Sequence, residues 1–212
     1  KTMSDTEVLL HLYDRYAERM VDKLRGMYAF TIWDNRRKRI FMARDPFGIK
    51  PLYFSDDGKT VRVASQVKAL MAGGRIGDKL EPAGHAGFFL LGYVPEPFTL
   101  YANVKPLTPG TCMWIGKDGE RHSQRFFDAR VHLAGRESDV RSTDVVPRLR
   151  AALSSSVKDH LVSDVPVGIF LSAGLDSATI TGLASEFVAK SVNTMTLRFE
   201  ELSGGPMDEA PL

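Results

Sequence analysis

The 212 residues predict an α/β protein in two parts. The first is an α+β domain, mainly antiparallel β with helices, and the second is the start of a parallel α/β domain. Three observations carry this. Short β-rich runs joined by Asp-Gly turns recur up to Asp128. A polar, charged stretch without a convincing period then fills 129–142 and reads as a linker. Beyond it the order becomes helix, strand, tight loop, helix, strand, which is a parallel unit. Domains are therefore expected at 1–128 and 143–212.

The elements follow in order. Ser4-Asp5-Thr6-Glu7 opens a helix with capping-box spacing, and Val8, Leu9, Leu12, Tyr13 and Tyr16 share its apolar face. A short helical pattern through Met20, Val21 and Leu24 stops at Arg25-Gly26. Strands are expected at Met27–Trp33 and Arg39–Ala43, with Asp34-Asn35 starting the turn between them. Leu52–Ser55 and Thr60–Ala64 form a hairpin across Asp56-Asp57-Gly58. Ser65 is placed as the cap of a short helix through Leu70. Glu81–Leu91 is a helix that Tyr93-Val94-Pro95-Glu96-Pro97 breaks. Thr111–Ile115 and Arg121–Phe127 pair across Lys117-Asp118-Gly119-Glu120. A long helix capped by Ser142 or Thr143 carries Pro147 in its first turn. Val192–Phe199 is a last strand. Two parallel strands are too few for a stable sheet, so the second domain is expected to continue beyond Leu212. Lys1 and the close at Pro211-Leu212 likewise suggest a piece of a longer chain.

The stretch Val165–Ser177 holds the chemistry. Val167–Leu171 reads as a fully buried strand, Ser172-Ala173-Gly174-Leu175-Asp176-Ser177 as a small polar loop, and Ile180, Leu183, Ala184, Phe187 and Val188 as one helix face. A helix starting there aims unpaired N–H groups and a positive dipole end at the loop. Small residues let a phosphate approach, and the hydroxyls of Ser172 and Ser177 can bond an anion. Asp176 would repel a phosphate, so it either bridges through Mg²⁺ or caps the helix. No Gly-Lys-Ser/Thr closes the loop, which excludes the Walker form.

Composition narrows the classes. A formal charge of +2 argues against a nucleic-acid surface. The run Arg36-Arg37-Lys38-Arg39 lies between strands and reads as a solvated turn. One cysteine, Cys112, excludes an internal disulfide and fits a reducing, cytoplasmic compartment; it reads as a core residue. No apolar run is long enough for a membrane span, and no secretory signal is present. The histidines lack metal-ligand spacing.

Ordered segments across both parts resemble the glutamine-dependent asparagine synthetase family. They are Leu24-Arg25-Gly26-Met27-Tyr28-Ala29-Phe30, Ala43-Arg44-Asp45-Pro46-Phe47-Gly48-Ile49-Lys50-Pro51-Leu52-Tyr53, Ser65-Gln66-Val67-Lys68-Ala69-Leu70, and Val162–Gly168 ahead of a loop similar to the Ser-Gly-Gly-x-Asp-Ser pyrophosphate (PP) loop. The resemblance implies an Ntn-hydrolase-like glutaminase domain followed by a PP-loop, adenine nucleotide α-hydrolase-like synthetase domain. The implied activity is Mg-ATP-dependent adenylation of the aspartate β-carboxylate, then amidation by ammonia from glutamine. By position, Ser172, Gly174, Asp176 and Ser177 would hold pyrophosphate and metal. Leu171 and Leu197 would meet adenosine through backbone, and Asp5 would contact the glutamine amino group. Implied partners are glutamine, aspartate and ATP, and a homodimer is compatible with the family; neither nucleic acid nor membrane is implied.

The departures are specific. Ala173 stands where the family has Gly, and Gln66 where it has Glu. The family's nucleophile is an N-terminal Cys whose α-amine serves as base. Lys1 opens this sequence and Cys112 has no α-amine, so no catalytic residue is assigned and no glutaminase activity is expected of the chain as written. Bland readings stand beside the sharp ones. Asp5 also suits a helix start, Arg44 and Asp45 a buried ion pair, and Asp208 and Glu209 an acidic loop as readily as a face of the ATP site. Two other functions fit the same residues: a β-lactam synthetase-like amide ligase, and a degenerate, non-catalytic amidotransferase.

Overall fold

The computed structural model describes residues 4–134, 142–189, 191–205 and 208. It is mixed α/β and separates into two compact units, Lys1–Arg136 and Glu137–Leu212.

The first unit opens with α1 (Asp5–Tyr16). Ser4 caps it, its Oγ accepting the Thr6 N–H at 3.2 Å. A short 3₁₀ helix, Ala17–Lys23, follows. Strands β1 (Ala29–Asp34), β2 (Arg39–Arg44), β6 (Thr111–Gly116) and β7 (Arg121–Arg125) form one antiparallel sheet in the order β1-β2-β6-β7. A second antiparallel sheet, β4-β3-β5, combines the hairpin of β3 (Tyr53–Asp56) and β4 (Val61–Ala64) with β5 (Lys105–Pro106). The first sheet is covered on both faces. Phe41 and Ala43 of β2 pack with Tyr13, Met20 and Val21, while Met42, between them, packs with Leu52, Leu107 and Ile115. This double burial is why β2 reads as a continuous apolar run and lacks alternation.

One helix cap in this unit differs from the sequence expectation, and one helix stands where it was expected. Ser65 does not cap the short helix α2 (Val67–Ala72); the N-cap is Gln66, in extended backbone and without a side-chain bond. The helix begins later because Ser65 still belongs to the bend leaving β4. Helix α3 (Pro82–Leu91) is capped by Glu81, whose carboxylate accepts the Ala83 N–H at 3.3 Å. It stops at Gly92, which turns left-handed at φ 77°.

Arg44 and Asp45 are both buried, yet they are not each other's partners. Asp45 accepts the N–H groups of Phe47, Ile49 and Lys50 at 3.1, 3.0 and 2.9 Å. Arg44 donates to the carbonyls of Gly48, Lys50 and Leu107 at 2.8 Å each, and pairs with Glu96 at 2.7 Å. Five backbone groups of the turn 46–50 are bonded by these two side chains, the carboxylate taking its N–H groups and the guanidinium its C=O groups. A salt link between the two would leave that backbone unsatisfied in the interior. Gly48 sits at φ 65°, and a Cβ there would lie 2.7 Å from Pro109 Cγ.

The expected linker is in part helical. Ala129–Leu133 forms α4, and Asp128 caps it by accepting the Arg130 N–H at 3.0 Å. The remainder, 135–141, lies outside the described residues. In the second unit α5 runs Ser142–His160, so Pro147 falls in its second turn rather than its first. Strands β8 (Gly168–Phe170) and β9 (Asn193–Met195) pair in parallel, and α6 spans Leu175–Ser185 between them. Phe187 and Val188 follow the end of α6, so the helix face is shorter than its apolar pattern suggested. The buried strand expected at Val167–Leu171 is corrected as well. Phe170 is 75% exposed and stands on the wall of a cleft at the end of the strand.

Candidate nucleotide site

The parallel pairing of β8 with β9 sets the geometry. Phe170 lies opposite Met195, and both strands end at the same edge. Leu171 continues the ladder, donating its N–H to Met195 O at 2.9 Å, and the Thr196 hydroxyl returns a bond to Leu171 O at 2.9 Å. Leu171 and Leu197, the two sequence-selected backbone positions, therefore leave the sheet side by side. In open α/β sheets this carboxyl edge is where ligands bind.

From Leu171 the chain turns through 172–174 into α6. Gly174 is the N-cap, at φ −73° and ψ 145°, and it has no side chain with which to cap. The Ala178 N–H finds Gly174 O at 3.1 Å, so the amides of Leu175, Asp176 and Ser177 precede the helix's own acceptors. Asp176 lies one residue inside the helix. The capping role left open for it is excluded by position. Its carboxylate is exposed and has no hydrogen bond or ion pair among the described residues.

Ser172 and Ser177 organise the loop. The Ser177 Oγ accepts the Ser172 N–H at 3.2 Å and lies 3.0 Å from Ser172 O, Gly174 O and the Ser172 Oγ. The Ser172 Oγ accepts the Gly174 N–H at 3.3 Å. Ala173 takes no left-handed conformation, so its methyl group costs no backbone strain in this loop.

A cleft of about 370 Å³ opens at this edge. Phe170, Leu171, Ser172, Leu197, Phe199 and Leu202 form much of its wall, and Asp208 adds a carboxylate. Leu171 and Leu197 are the positions the resemblance pointed to, whereas Phe170, Phe199 and Leu202 carry no motif and could be found only from the parallel register that brings the strand ends together. Among the described residues no group of three or more His, Cys, Asp or Glu could hold a metal ion. Asp176 is the exposed carboxylate nearest the loop that could take a metal ion.

Asp5, the glutamine-contact candidate, lies in the first unit. It is the first residue of α1, exposed, and accepts the Thr6 hydroxyl at 3.3 Å. Cys112 is buried in β6, where burial raises its thiol to about 11. A thiol so placed stays protonated near neutral pH and is no nucleophile. The basic run is a turn, with Arg36 on Asp14 at 3.3 Å and Arg37 on Asp34 at 3.2 Å. Among the described residues no helix is long and apolar enough to cross a membrane.

Comparison with known proteins divides the chain in the same order. A family model for a glutamine amidotransferase domain matches residues 1–127, and one for asparagine synthase matches residues 148–212. The glutamine-hydrolysing asparagine synthetase 1 of Bacillus subtilis is 40% identical over 209 residues, covering 99% of this chain and 32% of the relative. Asparagine synthetase 3 of the same organism is 34% identical over 203 residues, covering 93% and 32%. The chain thus spans about a third of the length of these curated relatives. The solved glutamine phosphoribosylpyrophosphate amidotransferase of B. subtilis aligns at 20% identity and a TM-score of 0.40, covering 96% of this chain and 42% of that one.

Proposed function

The chain belongs to the glutamine amidotransferase domain family, and from that premise we propose that it is part of a glutamine-hydrolysing asparagine synthetase. In this reading 1–128 is the later part of the glutaminase domain, 129–142 the connection, and 143–212 the beginning of the ATP-dependent synthetase domain. The observation that carries it is the strand end–loop–helix arrangement at Leu171–Ser177. A phosphate-sized anion placed there meets the amides of Leu175, Asp176 and Ser177 and the dipole of α6.

Each residue has a task on this reading. Ser172 and Ser177 exchange bonds made within the loop for bonds to pyrophosphate, and Gly174 leaves the backbone open to it. Leu171 and Leu197 offer main-chain groups to adenine. Asp176 would hold a Mg²⁺ ion whose charge would offset that of the phosphates, since a bare carboxylate beside them would repel. The aspartate β-carboxylate attacks the α-phosphorus, pyrophosphate leaves, and ammonia then displaces AMP from the mixed anhydride to give asparagine. The backbone donors of Leu175, Asp176 and Ser177 stabilise the leaving pyrophosphate, and a metal held by Asp176 would supply further positive charge there. Asp5, at the exposed start of α1, faces the amino group of glutamine. A cytoplasmic enzyme acting on small molecules fits the composition.

Aspartate-dependent exchange of pyrophosphate into ATP by the full-length protein tests this. Exchange should require aspartate, and Asp176→Asn should reduce it about a hundredfold, the scale of losing a charge-stabilising group in the transition state. Exchange that ignores the substitution would reject the metal role. Exchange supported by another carboxylic acid, and not by aspartate, would mark a different amide ligase.

A further inference from the structure

The β8–β9 ladder ends on a side chain. Leu171 donates its N–H to Met195 O at 2.9 Å, just past the paired residues Phe170 and Met195. In a parallel ladder, a residue that donates to one partner accepts from the residue two positions further along the facing strand. The regular continuation is therefore Leu197 N–H to Leu171 O. That rung is not made. The Thr196 hydroxyl donates to Leu171 O instead, at 2.9 Å. The Leu197 N–H has no hydrogen bond among the described residues. Leu171, Thr196 and Leu197 all line the cleft at this edge, and Leu197 is 72% exposed. The sheet thus stops one amide short, and that amide belongs to the cleft wall.

Resting on the nucleotide reading above, we propose that the Thr196 hydroxyl keeps the Leu197 N–H available to a ring nitrogen of the bound adenine. A backbone carbonyl at a strand end takes the donor within reach. With the hydroxyl in place, Leu171 O is satisfied and the Leu197 N–H remains for a ligand. Without it, Leu171 O takes the Leu197 N–H and the ladder grows by one rung. The ring nitrogens of adenine are acceptors, so an N–H group must face them. Thr196 bonds the strand and leaves the base to Leu197, which makes it a positioning residue. Its effect is confined to the base, because the phosphates meet the amides at the start of α6. The Thr196 bond is exposed, where water can substitute for it, so it contributes little to folding stability.

The test uses the full-length protein with Thr196→Val, which keeps the shape and removes the hydroxyl, and Thr196→Ser, which keeps the hydroxyl. Calorimetric binding of Mg-ATP should weaken about fivefold in the valine variant, the scale of one neutral hydrogen bond, and recover in the serine variant. Binding of Mg-tripolyphosphate, which has no base, should be the same in all three proteins. Hydrogen–deuterium exchange, read by mass spectrometry with electron-transfer fragmentation, adds a measurement without ligand. The Leu197 amide should exchange freely in nucleotide-free wild type and be protected in the nucleotide-free valine variant. Thr196→Ala provides the same comparison if the valine variant folds poorly. Equal losses for ATP and tripolyphosphate would make Thr196 a tie for the strand end and overturn the proposal. No loss, no recovery with serine, or a Leu197 amide already protected in nucleotide-free wild type would overturn it too. Wild type that fails to bind Mg-ATP overturns the nucleotide reading together with it; normal wild-type binding with any of those results overturns this proposal alone.

Discussion

The hydroxyls of Ser172 and Ser177 lie 3.0 Å apart, and each also bonds the loop backbone. These bonds close the loop on itself. On the proposed reading, the groups that would receive a phosphate already hold the loop in shape, so binding would be an exchange of partners in a preformed site. Such preorganisation lowers the ordering cost of binding.

Ser177→Ala should separate the two roles. Every bond made by the Ser177 hydroxyl is at an exposed site, where water can substitute. Stability should fall by only about 1 kcal/mol, while affinity for Mg-ATP should drop by about tenfold. A thermal melt and a binding isotherm on the same full-length variant check this. A large drop in melting temperature with proportionate loss of binding would make the serine merely structural.

Asp45 should behave in the opposite way. It is fully buried and accepts three backbone N–H groups. Asp45→Ala strands those donors and should cost about 3 kcal/mol in denaturant unfolding. Asp45→Asn should recover only part of this, because its NH₂ group must face an N–H. A loss below 1 kcal/mol for the alanine variant would contradict the arrangement.

Acid sensitivity should trace in part to Asp34. Burial pushes its carboxyl upward. That is outweighed by the Arg37 N–H, the Tyr13 hydroxyl, the Arg37 guanidinium and the Arg36 N–H, which together hold it below its ordinary value. A pKa lowered by folding contributes stability above the unfolded value of about 3.9, and that contribution fades as pH falls through the folded value. The stability gap between wild type and Asp34→Asn should be constant above about pH 5 and close below about pH 4. A gap that widens in acid would show the sign to be wrong.

Cys112 should resist alkylation. Buried in β6 and raised to about 11 by that burial, it is neither accessible nor ionised at pH 8. Iodoacetamide should label it only when urea unfolds the first unit, as followed by mass spectrometry. Rapid labelling of the native protein would place it at a reactive surface instead.

Much of this was written in local chemistry. The β3–β4 and β6–β7 hairpins follow from Asp-Gly and Lys-Asp-Gly-Glu turns between β-rich runs, and Gly58 and Gly119 adopt the positive φ those turns demand. The Ser172–Ser177 loop could be found because strand, small polar residues and helix stand next to one another in the chain. What escaped was decided by distant partners. Nothing near Arg44 announces Glu96, fifty-two residues away. Lys105–Pro106 is too short to carry a pattern, yet it joins a sheet because β3 presents an edge to it. The exposure of Phe170 depends on what packs over its face of the strand, which no local pattern encodes. Phe170, Met195, Phe199 and Leu202 of the cleft wall escaped for the same reason, being brought together by the register of two strands twenty-five residues apart.

The grip of Arg44 and Asp45 on the turn between them and Pro51 works as a ruler. Three amides and two carbonyls within it are matched one by one to atoms of two rigid side chains. A turn one residue longer or shorter would present those groups out of phase and leave some of them stranded in the interior. Insertions and deletions should therefore be rejected at 46–50 and tolerated at the solvent-facing tips 57–59 and 117–119, where water satisfies whatever the chain leaves unpaired. Peptide tags or reporter loops grafted into this domain belong at those tips.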